Sequence, residues 1–379
     1  MIRVELLRRD NPSRALRLLS PLIGLSLALI TGAIMFSLMG KNPAAALYVY
    51  FIEPLTEAWS VHELLIKAAP LILMGAGLSI CYLSNNWNIG AEGQFIMGAL
   101  AGSIFPVLFT DFQNPMVLPL MFIFAVAGGA LWAGIPALLK ARFNTNEILV
   151  SLMLVYVAER ILDYLVRGPW RNPGGMNFPE SVRFHSYARV PEIMPWDGRA
   201  NLGIVIAILV AIALWFMLSR TLKGFEVKVI GASPRAGRFA GFSSKGMIFF
   251  SFLVAGGCAG LAGIIEVAGA SAQLRPIISP GYGFTAIIVA FLGRLNPLGA
   301  IAAGLILALT YLGGEAAQIS LQISDKASRV FQGTLLLYIL ACDTLIHYRI
   351  RFSRKPAAKG IEQAAASSEQ QPPAAERAV

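Results

Sequence analysis

Long apolar blocks, separated by short polar segments, restrict the fold of this chain more than any other feature of its sequence. A helix of about 20 apolar residues crosses the hydrocarbon core of a bilayer, and lipid offers no partner to an unpaired backbone group. The strands of a membrane barrel would alternate polar and apolar residues, which these blocks do not do. We therefore predict an all-α, polytopic membrane protein with about ten transmembrane helices. The predicted spans are 20–40, 64–83, 93–110, 117–139, 147–166, 201–219, 247–267, 284–293 with its flanks, 298–314 and 329–347.

The charged residues predict how these spans are oriented. They make up only 14% of the chain, against about 25% in soluble domains. Basic residues follow the fourth, sixth, eighth and tenth spans, which puts these loops and both termini on the cytoplasmic side. Segment 167–200 would lie outside despite its arginines, and its prolines and tryptophans favour an ordered cap. The predicted parts are a basic cytoplasmic N-terminus (1–19), a transmembrane domain (20–348) and a cytoplasmic tail (349–379), basic at first and then disordered.

An even number of spans, with both ends on one side, is compatible with two groups of five spans that run in opposite directions. Transporters often contain such inverted repeats, with helices interrupted at matching positions. Segments 83–94 and 268–284, which follow the second and seventh spans, are both irregular and rich in glycine or polar residues. The residues themselves show no convincing repeat, so the symmetry is a hypothesis.

A polar decapeptide, N-N-W-N-I-G-A-E-G-Q at 85–94, lies between two apolar runs. Its polar side chains cost free energy in lipid unless they are paired or hydrated. They could line a translocation path through a broken helix, or they could cap two ordinary helices at the membrane face. The residues alone leave both interpretations open, although the predicted topology puts the decapeptide near the cytoplasmic end of the second span.

The loop 219–246 is the longest predicted cytoplasmic connection. Ser233 and Pro234 are typical of the N-cap and the first turn of a helix, so we predict a short helix from Arg235 to Phe242. An amphipathic helix in this position could insert into a groove of a soluble partner. It could also lie on anionic lipid, and its basic side chains favour that second interpretation.

The sequence contains no catalytic signature. The phosphate-binding motif G-x-x-x-x-G-K-[ST] is absent, as are H-E-x-x-H and G-x-S-x-G, so the chain is not predicted to be an enzyme. Its three cysteines and three histidines lack the spacing of metal ligands. The net charge of +10 is concentrated in the membrane flanks, so nucleic acid is not an expected partner.

Four motifs, in this order along the chain, carry a resemblance to a known family. They are N-I-G-A-E-G-Q (88–94), N-E-I-L-V-S-L-M-L (146–154), V-I-G-A-S-P-R-A-G-R-F-A-G (229–241) and G-Y-G-F-T-A-I-I-V-A-F-L-G-R-L-N-P-L-G (281–299). Together they resemble the permease subunits of bacterial ABC importers for nucleosides and simple sugars, in the branched-chain amino acid/ribose permease superfamily. This chain has Ser233, Gly237 and Phe239 where that family commonly has Asn, Ala and Tyr.

The resemblance implies a multi-pass permease in the bacterial inner membrane that holds no cofactor of its own. It implies a cytoplasmic ATPase that binds ATP and Mg, a second homologous permease, and an extracytoplasmic solute-binding protein or lipoprotein. Segment 229–241 would dock on the ATPase, which reverses the preference for a helix on lipid. The expected coupling residues are Gly231, Ser233, Pro234, Arg235, Arg238 and Phe239. The expected residues of the translocation pathway are Asn86, Asn88, Glu92 and Gln94.

Two other functions remain open from the residues. An ion-coupled secondary transporter of a small polar solute would need ionisable groups within its spans, and the candidates lie near span ends: Lys67, Glu159, Asp163 and Glu266. An enzyme acting on lipid-linked sugars would need paired carboxylates at the membrane surface, where segment 167–200 has only scattered ones. The motifs do not identify the solute.

Overall fold

The computed structural model describes residues 2–8, 14–193, 199–324 and 348–354, with 326–327, 329–331, 333–334, 337–338 and 341–342, and it describes side chains between 23 and 342 within these ranges. The chain forms two compact units, residues 1–27 with 338–379 and residues 28–337. In the first unit, β1 (Ile2–Arg8) and β2 (Tyr348–Arg354) form a two-stranded antiparallel sheet. We did not predict this sheet, whose signal is the alternation in Y-R-I-R-F-S-R. The tail beyond residue 354, predicted to become disordered, lies outside the described residues.

The remaining elements are helical, which confirms the predicted fold class. Described residues between 326 and 342 are helical as well. The helices are α1 (Arg14–Leu38), α2 (Pro43–Phe51), α3 (Glu53–Thr56), α4 (Ala58–Leu83), α5 (Ala91–Gly102), α6 (Ile104–Leu108), α7 (Val117–Phe143), α8 (Glu147–Arg167), α9 (Gly203–Arg220), α10 (Leu222–Ala232), α11 (Pro234–Phe239), α12 (Ser244–Glu266), α13 (Tyr282–Leu292) and α14 (Pro297–Leu321), with a 3-10 turn at Ser186–Ala188 and a π turn at Val267–Ser271.

Within the described residues, five helices are long and apolar enough to cross a bilayer: α4, α7, α9, α12 with its π turn, and α14. Each of the first nine predicted spans falls on a described helix, although the third is divided between α5 and α6. The last predicted span, 329–347, overlaps the helical residues up to 342, and its final part is not described. The number of membrane crossings stays a prediction.

Two of the apolar helices are too short to cross a bilayer alone. With 12 and 11 residues, α5 and α13 are about 16–18 Å long, against a hydrocarbon core of about 30 Å. Each follows a long helix and a non-α interruption, residues 84–90 between α4 and α5 and residues 267–281 between α12 and α13. This correspondence agrees with the inverted-repeat hypothesis.

Small residues allow the central helices to pack closely. Gly98 of α5 and Gly129 of α7 both lie against Gly260 of α12, where a Cβ on either residue would overlap the α12 backbone. Glycine at each of these positions is what allows the helices to approach so closely. The second short helix, α13, makes a similar contact, in which its Val289 lies against Gly75 of α4. Thus α5 packs on α12 while α13 packs on α4, which holds both short helices against long ones.

The segment after α8 is an ordered cap, as predicted, within its described parts. Its backbone donates hydrogen bonds to the chain beyond α12: Ser181 N to Leu274 O at 3.0 Å, and Phe184 N to Ala272 O at 2.7 Å. The Ser181 hydroxyl accepts from Leu274 N at 2.9 Å in return. These contacts connect the cap to the interruption between α12 and α13.

Candidate functional site

The interruption between α4 and α5 is largely buried inside the helical unit. Asn85 has φ 57°, a left-handed conformation that turns the chain out of α4. The next residues are irregular until α5 begins at Ala91. All four predicted pathway residues lie here, and none exposes more than 4% of its surface: Asn86, Asn88, Glu92 and Gln94. The polar segment is therefore a break whose amide and carboxyl side chains are buried, although Asn85 and Trp87 are exposed.

Asn88 and Gln94 form a reciprocal pair of side-chain amides across the break. Asn88 Nδ2 donates to Gln94 Oε1, and Gln94 Nε2 donates to Asn88 Oδ1, each at 3.0 Å. Asn88 Oδ1 also accepts the Gly90 N–H at 3.0 Å, and the Tyr82 hydroxyl donates to the Asn88 carbonyl at 2.9 Å. Buried polar groups are costly unless they are bonded. These contacts use the amides to stabilise the break.

Asn86 connects the break to two other helices. Its Nδ2 donates to Ser251 Oγ of α12 at 3.0 Å, and its Oδ1 accepts from Lys140 Nζ of α7 at 2.8 Å. Lys140 also pairs with Glu147 at the start of α8, and Glu147 Oε1 accepts the Trp87 N–H at 3.3 Å. A partly buried ion pair needs such extra hydrogen bonds to offset desolvation. Lys140 was not among the predicted site residues, because a basic residue at the end of an apolar span, here with Arg142 beside it, is typical of a cytoplasmic flank.

Glu92 lies where the first turns of two helices meet. It belongs to the first turn of α5, and its Oε2 accepts the N–H of Gly283 in the first turn of α13 at 2.5 Å. Gly283 is so close that a Cβ there would overlap the Glu92 backbone. Helix N-termini carry partial positive charge, so both helices favour a carboxylate at this point. The motifs that contain Glu92 and Gly283 were recognised in the sequence, but nothing in the sequence indicates that these two residues are in contact.

A cavity of about 470 Å³ opens beside Glu92. Its lining includes residues of α8 and the segment 276–279 before α13. Of the four predicted pathway residues, Glu92 is the one that lines this cavity. The charged residues of its lining are Glu92, Glu159, Arg160, Asp163 and Arg167.

The charges on α8 indicate what this face of the helix contacts. A charged side chain that faces lipid near the middle of a membrane helix costs about 2.5–3.5 kcal/mol on insertion scales. On α8, Glu159, Asp163 and Arg167 follow one another at four-residue intervals and form a single stripe. Asp163 accepts from Arg167 Nε at 2.7 Å. These residues lie toward the end of α8, where the cost of facing lipid is lower, and all three border a polar space because they line the cavity.

At the other candidate site, α11 is a short exposed helix with a fixed start. The Ser233 hydroxyl accepts a backbone N–H of the first turn at 3.3 Å, and Pro234 is the first helical residue, as predicted. The helix ends at Phe239, earlier than the predicted Phe242. Phe239 is 94% exposed, and Arg235 and Arg238 are exposed beside it. A large exposed phenyl group among basic residues is suited to contact with another protein.

The helix before α11 is fixed to the end of α4. Gly231 of α10 lies directly against Leu83, the last residue of α4, where a Cβ would overlap the Leu83 carbonyl oxygen. On the same helix, Val227 and Ile230 are buried in a cluster with Ile80 of α4. A displacement of α10 would therefore reach the last residue of α4, which directly precedes the break at 84–90.

Comparison with known proteins gives consistent results. The family model described as branched-chain amino acid transport system / permease component matches residues 60–340. The glucose ABC transporter permease protein TsgB13 of Haloferax volcanii is 36% identical over 87% of this chain and 89% of its own. The guanosine ABC transporter permease protein NupP of Bacillus subtilis is 33% identical over 89% of this chain and 96% of its own. The nucleoside ABC transporter permease protein NupB of Lactococcus lactis is 28% identical over 80% of this chain and 85% of its own.

Proposed function

This chain belongs to the branched-chain amino acid transport system / permease component family, and we propose that it is the membrane permease of an ATP-driven importer of nucleosides or simple sugars. The observation that carries the mechanism is the position of α10 and α11. The proposed docking helix α11 is exposed. In the helix just before it, Gly231 touches Leu83 at the end of α4, next to the break. Family membership supports this function over an ion-coupled carrier.

In this proposal α11 docks on the cytoplasmic ATPase. Phe239 enters an apolar groove of the partner, and Arg235 and Arg238 contact its rim, in the manner of a helix bound in a groove. Ser233 and Pro234 set the start of the helix, so that its direction is fixed before the partner binds. ATP and Mg bind on the ATPase, since this sequence has no phosphate-binding motif.

Motion of the ATPase then passes from α11 through α10 to the break. Gly231 presses on Leu83, and the break follows within three residues. Asn86, Asn88 and Gln94 hold the broken segment together, while Glu92 lines the pathway and contacts α13. Small shifts at a docking site produce discrete rearrangements when the elements are rigid and packed closely, as these are.

The other partners follow from the same assignment. A second homologous permease completes the membrane unit, with the charged face of α8 toward the shared pathway and not toward lipid. An extracytoplasmic solute-binding protein delivers the solute to the side that carries the cap. The docking loop and both termini lie in the cytoplasm, and the chain resides in the bacterial inner membrane.

Docking can be tested by co-purification from the native membrane. We expect Arg235→Ala with Phe239→Ala to reduce recovery of the ATPase by about tenfold or more, because a buried aromatic anchor and a charged rim contact are both lost. The matched control is Phe178→Ala, which removes a phenyl group that is also exposed, but in the cap. Its ATPase recovery should equal that of the wild type.

Two results would reject the proposal. Unchanged ATPase recovery in the double variant would show that α11 is not the docking element. Uptake of guanosine and glucose that persists after ATP depletion would show that the chain is not an ATP-driven permease.

A further inference from the structure

The cavity beside Glu92 has a fixed hydrogen-bond acceptor at its inner end. Glu92 is buried except for 4% of its surface, and the Gly283 N–H holds its Oε2 in place. Beside Glu92, the Ser279 hydroxyl accepts from Gly281 N and Tyr282 N at 3.0 and 2.9 Å, which fixes that side chain too. The polar groups here are held in position before any solute arrives, which lowers the entropy cost of binding.

The carboxylates on α8 add hydrogen-bond acceptors whose side chains differ in how firmly they are held. Glu159 lies 3.9 Å from Arg160, at the limit of an ion pair, and its side chain is 39% exposed. Asp163 is held by Arg167. Glu159 can therefore turn toward a bound molecule more easily than Asp163 can. Of the three carboxylates in the cavity, Glu92 is held rigidly, Asp163 is paired with an arginine, and Glu159 is the most mobile.

The charges select against anions. Three carboxylates and two guanidinium groups line the cavity, so 2 − 3 leaves one negative charge when all are ionised. A phosphate would meet this surplus of negative charge, which disfavours its entry. Ionised carboxylates accept hydrogen bonds only, and each can take two hydroxyl donors. The site therefore suits a neutral molecule that carries several hydroxyl groups.

We propose that this cavity binds the transported solute by a ring with vicinal hydroxyl groups. Glu92 and Glu159 would accept hydrogen bonds from that pair of hydroxyls, and Asp163 would accept from a further one. The volume of about 470 Å³ lies within the roughly 300–1,000 Å³ of small-molecule sites. The inference rests on the proposed function, and a ribonucleoside and a simple sugar share this ring chemistry.

Binding of radiolabelled guanosine and radiolabelled glucose to the full-length chain in nanodiscs, without solute-binding protein and without ATP, tests the site. Whichever of the two is the solute should bind. For guanosine, loss of the vicinal hydroxyls in 2′,3′-dideoxyguanosine should weaken binding by about tenfold or more, because charge-assisted hydrogen bonds are lost. Guanosine 5′-monophosphate should not compete. Equal binding of guanosine and its dideoxy analogue, with no binding of glucose, would overturn the proposal.

Substitution of the mobile carboxylate gives a second measurement. Glu159→Gln should weaken guanosine or glucose binding by about tenfold and leave dideoxyguanosine binding within about twofold, because the hydroxyls that it contacts are absent there. Asp111→Asn, at an exposed position outside the cavity, is the control and should change neither. An equal effect of Glu159→Gln on both nucleosides would show a structural role and not recognition of the ring.

The failure of this inference can be told from failure of the proposed function. Suppose that the complete transporter takes up guanosine or glucose with ATP. If the chain alone then binds neither compound, only the cavity assignment is wrong. The same holds if Glu159→Gln and Asp163→Asn change neither binding nor uptake. If the complete transporter takes up neither compound, the proposed function itself fails.

Discussion

Asn88 and Gln94 bond each other inside the break, and Asn88 also accepts the Gly90 N–H there. Their two mutual bonds, together with the bond from Gly90 N–H, satisfy polar groups that would otherwise be unpaired among apolar helices. The sequence predicted that these amides either line a path or hold a broken helix, and it could not decide because hydrogen-bond partners depend on the folded chain. The geometry favours the second role for both amides.

We predict that Asn88→Leu lowers the free energy of unfolding by about 1–3 kcal/mol, since Gln94 and the Gly90 N–H lose their partners inside the protein. The measurement is the melting temperature of the purified chain in detergent. Asn114→Ala is the control, because Asn114 accepts the Met116 N–H in an exposed turn, where water can replace the bond. An equal change in both variants would contradict the importance of the amide pair.

At the scale of elements, helix boundaries were predictable where a side chain acts on its own neighbours. Ser233 caps α11, as predicted from the local sequence, and Asn146 caps α8 in the same way. Contacts between distant elements gave no such signal. The approach of Gly231 to Leu83 and of Gly283 to Glu92 depends on tertiary packing, and glycine alone does not say which backbone will approach it.

The contact between α10 and α4 leads to a prediction about coupling. Gly231→Ala should retain ATPase binding, because α11 is untouched, but reduce ATP-driven uptake by about tenfold or more, because the added Cβ displaces α10 from Leu83. ATPase recovery and uptake should be measured on the same membranes.

Gly134→Ala is the matched control for that substitution. A Cβ at Gly134 of α7 finds its nearest neighbour, the Leu253 side chain of α12, at 3.7 Å, which is an ordinary van der Waals contact. Should the two variants transport equally well, the route from α10 to the break would be wrong. Should Gly231→Ala also lose the ATPase, the substitution would have altered docking instead.

At the scale of the whole molecule, composition predicted the membrane class and the helical fold, but the orientation rests on the basic loops. The cap conflicted with the charge rule because it is rich in arginine. The structure gives several of these arginines local partners: Arg171 donates to Asn177 Oδ1, Arg189 to the Phe184 carbonyl, and Arg199 pairs with Glu63. Arginines with such structural roles can remain outside without reversing the predicted topology.

Cysteine labelling can measure this orientation. The native residues Cys81, Cys258 and Cys342 are buried, so a membrane-impermeant maleimide should react slowly with the wild-type chain. With the ATPase absent, Phe239→Cys should be labelled only in inside-out vesicles and Phe178→Cys only in right-side-out vesicles. Labelling of both variants from one side would contradict a cytoplasmic docking loop with an external cap.

The contact between Glu92 and Gly283 also has a consequence for biosynthesis. Its two residues are 191 positions apart in the chain, so a ribosome that adds about 5–20 residues per second makes the second roughly 10–40 s after the first. During that interval the nascent chain contains α5 with its acidic residue but not the helix that completes its surroundings. The first half must therefore be held at the insertion machinery or in a provisional arrangement until translation reaches α13. Final assembly of the membrane domain thus follows synthesis of its second half, and a chain truncated before residue 283 would lack this contact.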